Sequence, residues 1–271
     1  MRTLLILLTS SLFSYAQPNC YIYAENSQER KACELSYKAI QYPQGSKASQ
    51  KLFDQAIAIA PEFAWAYYEK SVPYFKRGLL REGLDILNKA IKIDPKEYLC
   101  YRAYWYWQYK NYNLCIEDLE TYYKLPKAYV QFTPGGDKDM RIILGLAYAK
   151  TNQYKKGIEI ISNCIINYKS KDDIGLTDYH SLGILYVLDK QYSKAIATLK
   201  KQLTINEDMA DTNYFLGIAL KEKLNLVEAK KQFTKALSKY RETNRFININ
   251  AGFKVYLLDI ENEIAALSQI N

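Results

Sequence analysis

Aromatic side chains are concentrated between positions 63 and 108 of this 271-residue chain, and they are well suited to binding a ligand. Aromatic rings give a large contact area at a low entropic cost and are enriched where proteins bind one another. Rings with polar tips can also stack on sugars or cover a proline-rich peptide. We therefore predict a partner-binding site made of Trp65, Tyr68, Phe75, Lys76, Tyr101, Tyr104 and Trp107.

Catalytic chemistry has little support in the sequence. The chain has one histidine, His180, and no serine, cysteine or aspartate is spaced with it as a nucleophile–base pair. Asp172 and Asp173 are neighbours, which is more typical of a helix start than of an acid–base pair. No glycine-rich phosphate loop follows a predicted strand. We predict that the protein is not an enzyme, and an active site completed by a partner is the alternative.

The aromatic residues belong to a sequence that repeats at an interval of 34 residues. The matching positions are Leu182-Gly183 with Leu216-Gly217, Ala195 with Ala229, Leu199 with Phe233, Phe53 with Leu87, Ala56 with Ala90, and Pro61 with Pro95. This period, with small residues at fixed places and a closing proline, is typical of a helix–turn–helix repeat. The chain resembles the tetratricopeptide-repeat (TPR) family. The resemblance implies an all-α fold, a right-handed α-solenoid of about six repeats with a C-terminal capping helix.

The repeats can be placed along positions 30–241 of the chain. They lie at about 30–61, 64–95, 96–125, 138–168, 176–207 and 210–240. Small residues are needed at positions 8, 20 and 27 of a repeat because the helices approach one another closely there. Cys115 and Cys164 occupy such positions and are expected to be core residues. A helix predicted at 249–268 would cap the last repeat, and the role of the insertion at 126–137 stays open.

In TPR domains, as the resemblance implies, the first helices of the repeats line a concave groove. The predicted binding residues would lie in it, followed in later repeats by Ile142, Leu146, Lys150, His180, Ile184, Tyr214, Ile218 and Lys221. The lysine and asparagine of the family's carboxylate clamp are absent from repeats two and three, which disfavours a chaperone partner. We predict a protein or peptide partner. An envelope polysaccharide or cell-wall polymer is the alternative ligand, and the segment at 17–26 folding onto the aromatic helices is the alternative explanation of the rings.

The first residues indicate export. A basic start, a short apolar stretch and the small residues Ser14 and Ala16 describe a signal peptide at 1–16, followed by an N-terminal segment at 17–29. The apolar stretch is too short to span a membrane, so we expect a periplasmic or extracellular protein whose association with the envelope stays open. The sequence is also similar to small exported TPR proteins of Bacteroidetes-type bacteria through Phe63–Tyr67 and the following Lys70–Tyr74.

Charge and cysteine content restrict the partners further. The formal net charge of +8 favours anionic surfaces, but export argues against a nucleic-acid partner, and many lysines fall on water-facing positions. Five cysteines leave at least one unpaired within the chain. Without a close cysteine pair, a single histidine makes zinc unexpected, and no cofactor is expected. Cys20 and Cys33 could form a disulfide in an oxidising compartment, a pairing that the sequence leaves open.

Overall fold

The structure, a computed structural model, describes residues 19–170, 173–243 and 252–269. Within these ranges the chain forms thirteen α-helices and a short 3-10 helix, and no β-strand. The predicted all-α fold class is thereby confirmed. The predicted signal peptide at 1–16 lies outside the described residues. None of the described helices is both long and apolar enough to cross a lipid bilayer.

The helices follow one another with short connections. After the 3-10 helix Cys20–Ile22 they are α1 (Gln28–Ala39), α2 (Lys47–Ile59), α3 (Ala64–Lys76), α4 (Leu80–Ile93), α5 (Pro95–Gln108), α6 (Tyr112–Lys124), α7 (Met140–Lys150), α8 (Tyr154–Ile166), α9 (Asp178–Leu188), α10 (Tyr192–Ile205), α11 (Ala210–Glu222), α12 (Leu226–Thr243) and α13 (Leu257–Ser268). Consecutive helices pack as pairs, α1 with α2, α3 with α4, α7 with α8, α9 with α10 and α11 with α12.

The chain divides into two compact units, one up to Tyr98 and one from Leu99 onwards. The sequence predicts one array over 30–241 and gives no sign of this division, which falls inside α5. In the first unit α1 and α2 begin at serine N-caps: Ser27 Oγ accepts from the Arg30 N–H at 3.0 Å, and Ser46 Oγ from the Ser49 N–H at 3.2 Å. These bonds satisfy backbone donors that a helix start leaves without partners.

A disulfide between Cys20 and Cys33 ties the 3-10 helix to α1 and settles the open pairing. Both cysteines pack in an apolar cluster with Phe53, Phe63 and Ala66. The remaining cysteines, Cys100, Cys115 and Cys164, are free thiols, and all three are buried. The burial of Cys115 and Cys164 agrees with their predicted place in the core.

Removing this disulfide is expected to lower the stability of the first unit. A cross-link reduces the conformational entropy of the unfolded chain, and for a short loop near one end we expect a loss of about 2 kcal/mol. The test is the denaturant midpoint of a variant carrying Cys20→Ser and Cys33→Ser, with and without reductant. Reductant should shift the midpoint of the wild type and leave that of the double variant unchanged. Equal midpoints for the wild type and the double variant in the absence of reductant would contradict the prediction.

Glycines in the second unit lie where paired helices touch. A Cβ built on Gly183 would lie 2.4 Å from Leu199 Cδ2, and one built on Gly217 would lie 2.6 Å from Phe233 Cε1. Carbon atoms need about 3.5 to 4.0 Å between them, so these positions accept no larger residue without movement of the partner. The physical reason for the predicted small-residue positions therefore holds in these two helix pairs.

The C-terminal helix is shorter than the sequence predicts. The expected helix at 249–268 begins at Leu257, and the described residues 252–256 before it are not helical. The reason is local: Gly252 has a φ of +73°, and Tyr256 is an extended N-cap whose N–H donates to Asp259 Oδ2 at 2.8 Å. α13 packs against α12, with Ile260 in an apolar cluster that includes Ala236.

Candidate functional site

The first unit does not gather its four predicted binding residues on one open surface. Trp65 packs edge-on against Phe53 and Phe63, with ring centroids 6.5 and 6.4 Å apart, and so contributes to the unit's apolar core. Tyr68 stacks on Tyr98 at 5.1 Å. These contacts use the rings for packing within the unit.

Phe75 and Lys76 lie in different environments. Phe75 is 2% exposed, and its ring occupies the space left by Gly83, where a Cβ would lie 2.9 Å from Phe75 Cε1. It is therefore a core residue. Lys76 is exposed, and its Nζ donates to Gln44 Oε1 at 2.7 Å, which ties α3 to the turn between α1 and α2.

In the second unit, Tyr101 and Tyr104 contact a ring that sequence reasoning overlooked. Their ring centroids lie 6.1 and 5.5 Å from that of Trp105, and Tyr109 lies 6.1 Å from it on the other side. Residues four apart on a helix are neighbours on one face, so the spacing of Tyr101, Trp105 and Tyr109 is a signal that could have identified this cluster. The repeat register instead predicts Trp107 as the binding residue on this part of α5.

Trp107 contacts the C-terminal part of the chain. It is 5% exposed, and its ring lies 5.4 Å from Tyr112, centroid to centroid. A Cβ built on Gly252 would lie 2.7 Å from Trp107 Cη2. The next residue, Phe253, has its ring centroid 3.7 Å from Lys150 Nζ. Burial and the nearby Lys110 lower the pKa of Lys150. We call residues Gly252–Tyr256 the C-terminal strap.

The strap and α13 also contact α11. Tyr214 packs with Val255 and Ile260, and burial raises the pKa of Tyr214 to about 12. Lys221 Nζ lies 2.5 Å from Glu263 Oε2. Predicted groove positions on α5, α7 and α11 thus contact residues 252–264 of the same chain. We call the surface formed by Trp107, Ile142, Leu146, Lys150, His180, Ile184, Tyr214 and Lys221 the second-unit groove.

Four of the groove positions on α7 and α9 are closed to solvent. Ile142, Leu146, His180 and Ile184 are all 0% exposed. Their repeat positions are those that line an open groove in TPR domains, as the resemblance implies. The middle of the second-unit groove is therefore buried within the protein, and the strap and α13 contact its remaining positions on α5, α7 and α11.

A buried polar cluster lies at the beginnings of α9 and α11. His180 Nδ1 is 2.9 Å from Thr212 Oγ1, whereas His180 Nε2 and Asn213 Oδ1 have no hydrogen-bond partner. Burial and the positive Lys138 lower the pKa of His180 to about 3, so the ring is neutral at physiological pH. Such a ring is a poor base, and His180 and Thr212 are both fully buried. The pair is thus arranged for packing and hydrogen bonding.

Lys138 is a buried cation beside this cluster. Lys138 is 1% exposed. Its Nζ donates to Thr177 Oγ1 at 2.6 Å and to Ser181 Oγ at 3.5 Å. Burial lowers the pKa of Lys138. Across the described ranges, no group of three histidine, cysteine or acidic side chains is placed to hold a metal ion.

Comparison with known proteins identifies the fold. No protein-family model and no curated protein matches the sequence. Among solved structures, YrrB, described as a TPR protein with an unusual peptide-binding site, superposes with a TM-score of 0.56 at 17% identity over 71% of this chain and 94% of that one. PilW, a type IV pilus biogenesis factor, gives a TM-score of 0.59 at 13% identity, covering 81% of this chain and 96% of its own. MamA superposes with a TM-score of 0.56 at 21% identity, covering 69% of this chain and 97% of its own. At these identities the likeness concerns the fold, and the chain has the helical-repeat fold of TPR proteins.

Proposed function

We propose that this protein is an exported, non-catalytic scaffold that binds an extended segment of a protein or peptide partner in the second-unit groove. The observation that supports it is that this surface already contacts a non-helical piece of chain, since Gly252 lies against Trp107 and Phe253 against Lys150. A surface that fits one non-helical segment has the shape and chemistry to fit another. YrrB, with the same fold, is described as having a peptide-binding site.

The chemistry of the groove fits this function. Trp107 and Tyr214 supply large rings, and Lys150 and Lys221 supply positive charge beside them, whereas Ile142, Leu146 and Ile184 are buried and form the apolar support beneath. Tryptophan and tyrosine in well-packed, desolvated places carry much of the binding energy in protein interfaces. The predicted residues Tyr101 and Tyr104 lie on the same helix as Trp107 and contact the ring of Trp105.

Export is supported by two features. Positions 1–16 have the composition of a signal peptide, and the disulfide Cys20–Cys33 is of a kind that persists in oxidising compartments such as the periplasm or the exterior. The resemblance to exported TPR proteins of Bacteroidetes-type bacteria points the same way. We propose a periplasmic or extracellular location.

The rival ligand is an anionic envelope polymer, which the net charge of +8 would attract. Attraction between exposed charges is screened by salt, whereas apolar burial against aromatic rings is not. Raising the salt concentration from about 0.1 to about 1 M shortens the Debye length from about 10 to about 3 Å. A partner that stays bound after this rise supports binding in the groove. Binding that disappears with salt supports the polymer.

The test is chemical cross-linking in the native envelope, followed by recovery of this protein with its partners. Trp107→Ala and Tyr104→Ala probe the second unit, and Lys76→Ala, an exposed residue of the first unit, is the matched control. We expect Trp107→Ala to lower the recovery of a specific partner at least about tenfold, as for a hot-spot residue, and Lys76→Ala to leave it unchanged. Recovery of every partner at wild-type yield from Trp107→Ala would refute the proposal, provided that the variant melts within a few degrees of the wild type.

A further inference from the structure

We infer that the second-unit groove contains a subsite for a glycine followed by an aromatic residue, and that the chain's own Gly252–Phe253 pair fills it when no partner is bound. This inference rests on the proposed function, because it names the chemistry of the segment that the groove selects. The subsite consists of Trp107 of α5 and Lys150 of α7. Its first occupant is the C-terminal strap.

Two features require glycine at the first position. The backbone of Gly252 has a φ of +73°, which side chains other than glycine rarely adopt. A Cβ at this position would also lie 2.7 Å from Trp107 Cη2 and 2.9 Å from Cζ2. Trp107 is supported by the ring of Tyr112 and is nearly fully buried, so it has little room to withdraw. Any side chain here would have to push the strap away from α5.

The second position favours an aromatic ring. Lys150 Nζ lies 3.7 Å from the centroid of Phe253, well within the distance at which an ammonium group is attracted to a ring face. None of the ion pairs found among the described residues involves Lys150, so no carboxylate competes for this charge there. An aliphatic side chain would cover the same surface but would lack the quadrupole that attracts the ammonium group.

The strap is attached to an element that is anchored independently. Val255 and Ile260 pack in one apolar cluster with Ala236 of α12, and Lys221 of α11 pairs with Glu263 of α13. α13 therefore has contacts of its own that do not involve the Gly252–Phe253 pair. The pair competes as a tethered ligand, and a groove that is open for only a fraction of the time shows an apparent affinity reduced by that fraction.

The first measurement asks whether the pair holds the strap in place. The full chain is compared with Gly252→Leu and with Phe253→Ala by oxidative footprinting, with the label on Trp107 counted by mass spectrometry. Leu258→Ala is the matched control, since Leu258 lies on α13 and is 65% exposed. We expect Trp107 labelling to rise several-fold in both strap variants and to stay at the wild-type level in the control. Unchanged labelling in both strap variants would overturn the inference.

The second measurement asks what the opened subsite selects. A labelled, N-acetylated peptide reproducing residues 252–258 is titrated against the same proteins by fluorescence anisotropy. It should bind Gly252→Leu at least about tenfold more tightly than the wild type, because the tethered competitor is displaced. A peptide with alanine in place of the phenylalanine, and another with leucine in place of the glycine, should bind at least about tenfold more weakly than the parent.

The two proposals fail in different ways. If Trp107 becomes labelled and all three peptides bind equally well, the subsite inference is wrong and the groove remains a site for peptides. If Trp107 becomes labelled and none of the peptides binds, the inference is again wrong, and loss of a partner on Trp107→Ala in the cross-linking experiment then decides separately whether the groove binds anything.

Discussion

Lowering the pH from 6.5 to 3 is expected to remove about 4 kcal/mol of folding free energy through His180 alone. The folded protein holds this ring with a pKa of about 3, against 6.5 for an unperturbed histidine. The unfolded chain therefore takes up a proton at a pH where the folded chain does not. The stabilisation by neutral His180 is complete above pH 6.5, decreases below it by about 1.4 kcal/mol per pH unit, and levels off below about pH 3.

The cause is the place of His180 in the fold. It lies at the beginning of α9 with 0% exposure, and the positive Lys138 adds to the cost of charging it. Thr212 Oγ1, the partner of Nδ1, is a hydroxyl without a charge to balance an imidazolium. Protonation would thus place a second cation in a buried cluster, which is disfavoured by desolvation and by repulsion.

Carboxyl groups with raised pKa values act in the opposite direction. Burial raises the pKa of Asp211 to about 6 and, against the opposing effect of Lys76, that of Glu69 to about 7. A carboxyl group whose pKa is raised in the folded state stabilises the folded protein as the pH falls through that pKa. The free energy of unfolding therefore depends less on pH than the contribution of His180 alone would suggest. The contribution of the histidine has to be measured as a difference between two proteins.

The matched variant is His180→Gln, which keeps a polar side chain of similar size and does not titrate. The free energy of unfolding in urea, followed by far-UV circular dichroism, is measured for both proteins from pH 7.5 to 3.5. We expect the wild type to lose stability relative to the variant by about 1.4 kcal/mol per pH unit below 6.5. Parallel curves would show that the ring titrates normally in the folded state.

The repeat period made part of this structure predictable. The positions at which two helices touch must hold small residues, whatever the protein binds. The 34-residue spacing of Gly183 and Gly217 was therefore enough to predict that helices touch at these two residues. The burial of Cys115 and Cys164 followed from the same register. Local geometry that recurs in every repeat leaves a periodic trace in the sequence, and this is why the fold class could be predicted.

The groove could not be predicted in the same way. Phe253, Tyr256, Leu257 and Ile260 have helical spacing, and this favoured a helix across residues that in fact form the strap. Gly252 and Trp107 are in contact although they lie 145 residues apart in the chain. A repeat period predicts contacts between neighbouring repeats and does not predict a contact of this range. Phe75 shows the same limit, because the space at Gly83 draws its ring into the core although the register places it in the groove.

The second large effect is expected from a branched side chain at Gly157. We predict that Gly157→Val costs at least about 4 kcal/mol of folding free energy, beyond the usual range for one substitution. A Cβ here would lie 2.5 Å from the carbonyl oxygen of Gly145 and 2.8 Å from Leu185 Cδ2. The first of these atoms belongs to the main chain of α7 and cannot rotate away. The whole of α8 would have to move, and its packing on α7 and α9 with it.

Gly157→Ala separates this packing effect from helix propensity. Alanine in a helix interior is favoured over glycine by about 1 kcal/mol, so a variant limited by propensity would be more stable than the wild type. We expect instead a net loss of about 2 kcal/mol of folding free energy, because the main-chain contact outweighs the propensity gain.

Gly135→Ala is the control. A Cβ at Gly135 would have Asp137 Oδ1 as its nearest atom, at 3.3 Å, and the site is exposed. The stability of this variant should therefore stay within about 0.5 kcal/mol of that of the wild type. Denaturant unfolding of the three variants decides the matter. A stabilised Gly157→Ala protein would mean that α7 and α8 can separate cheaply, and the close approach of the two backbones would then not be what fixes this repeat.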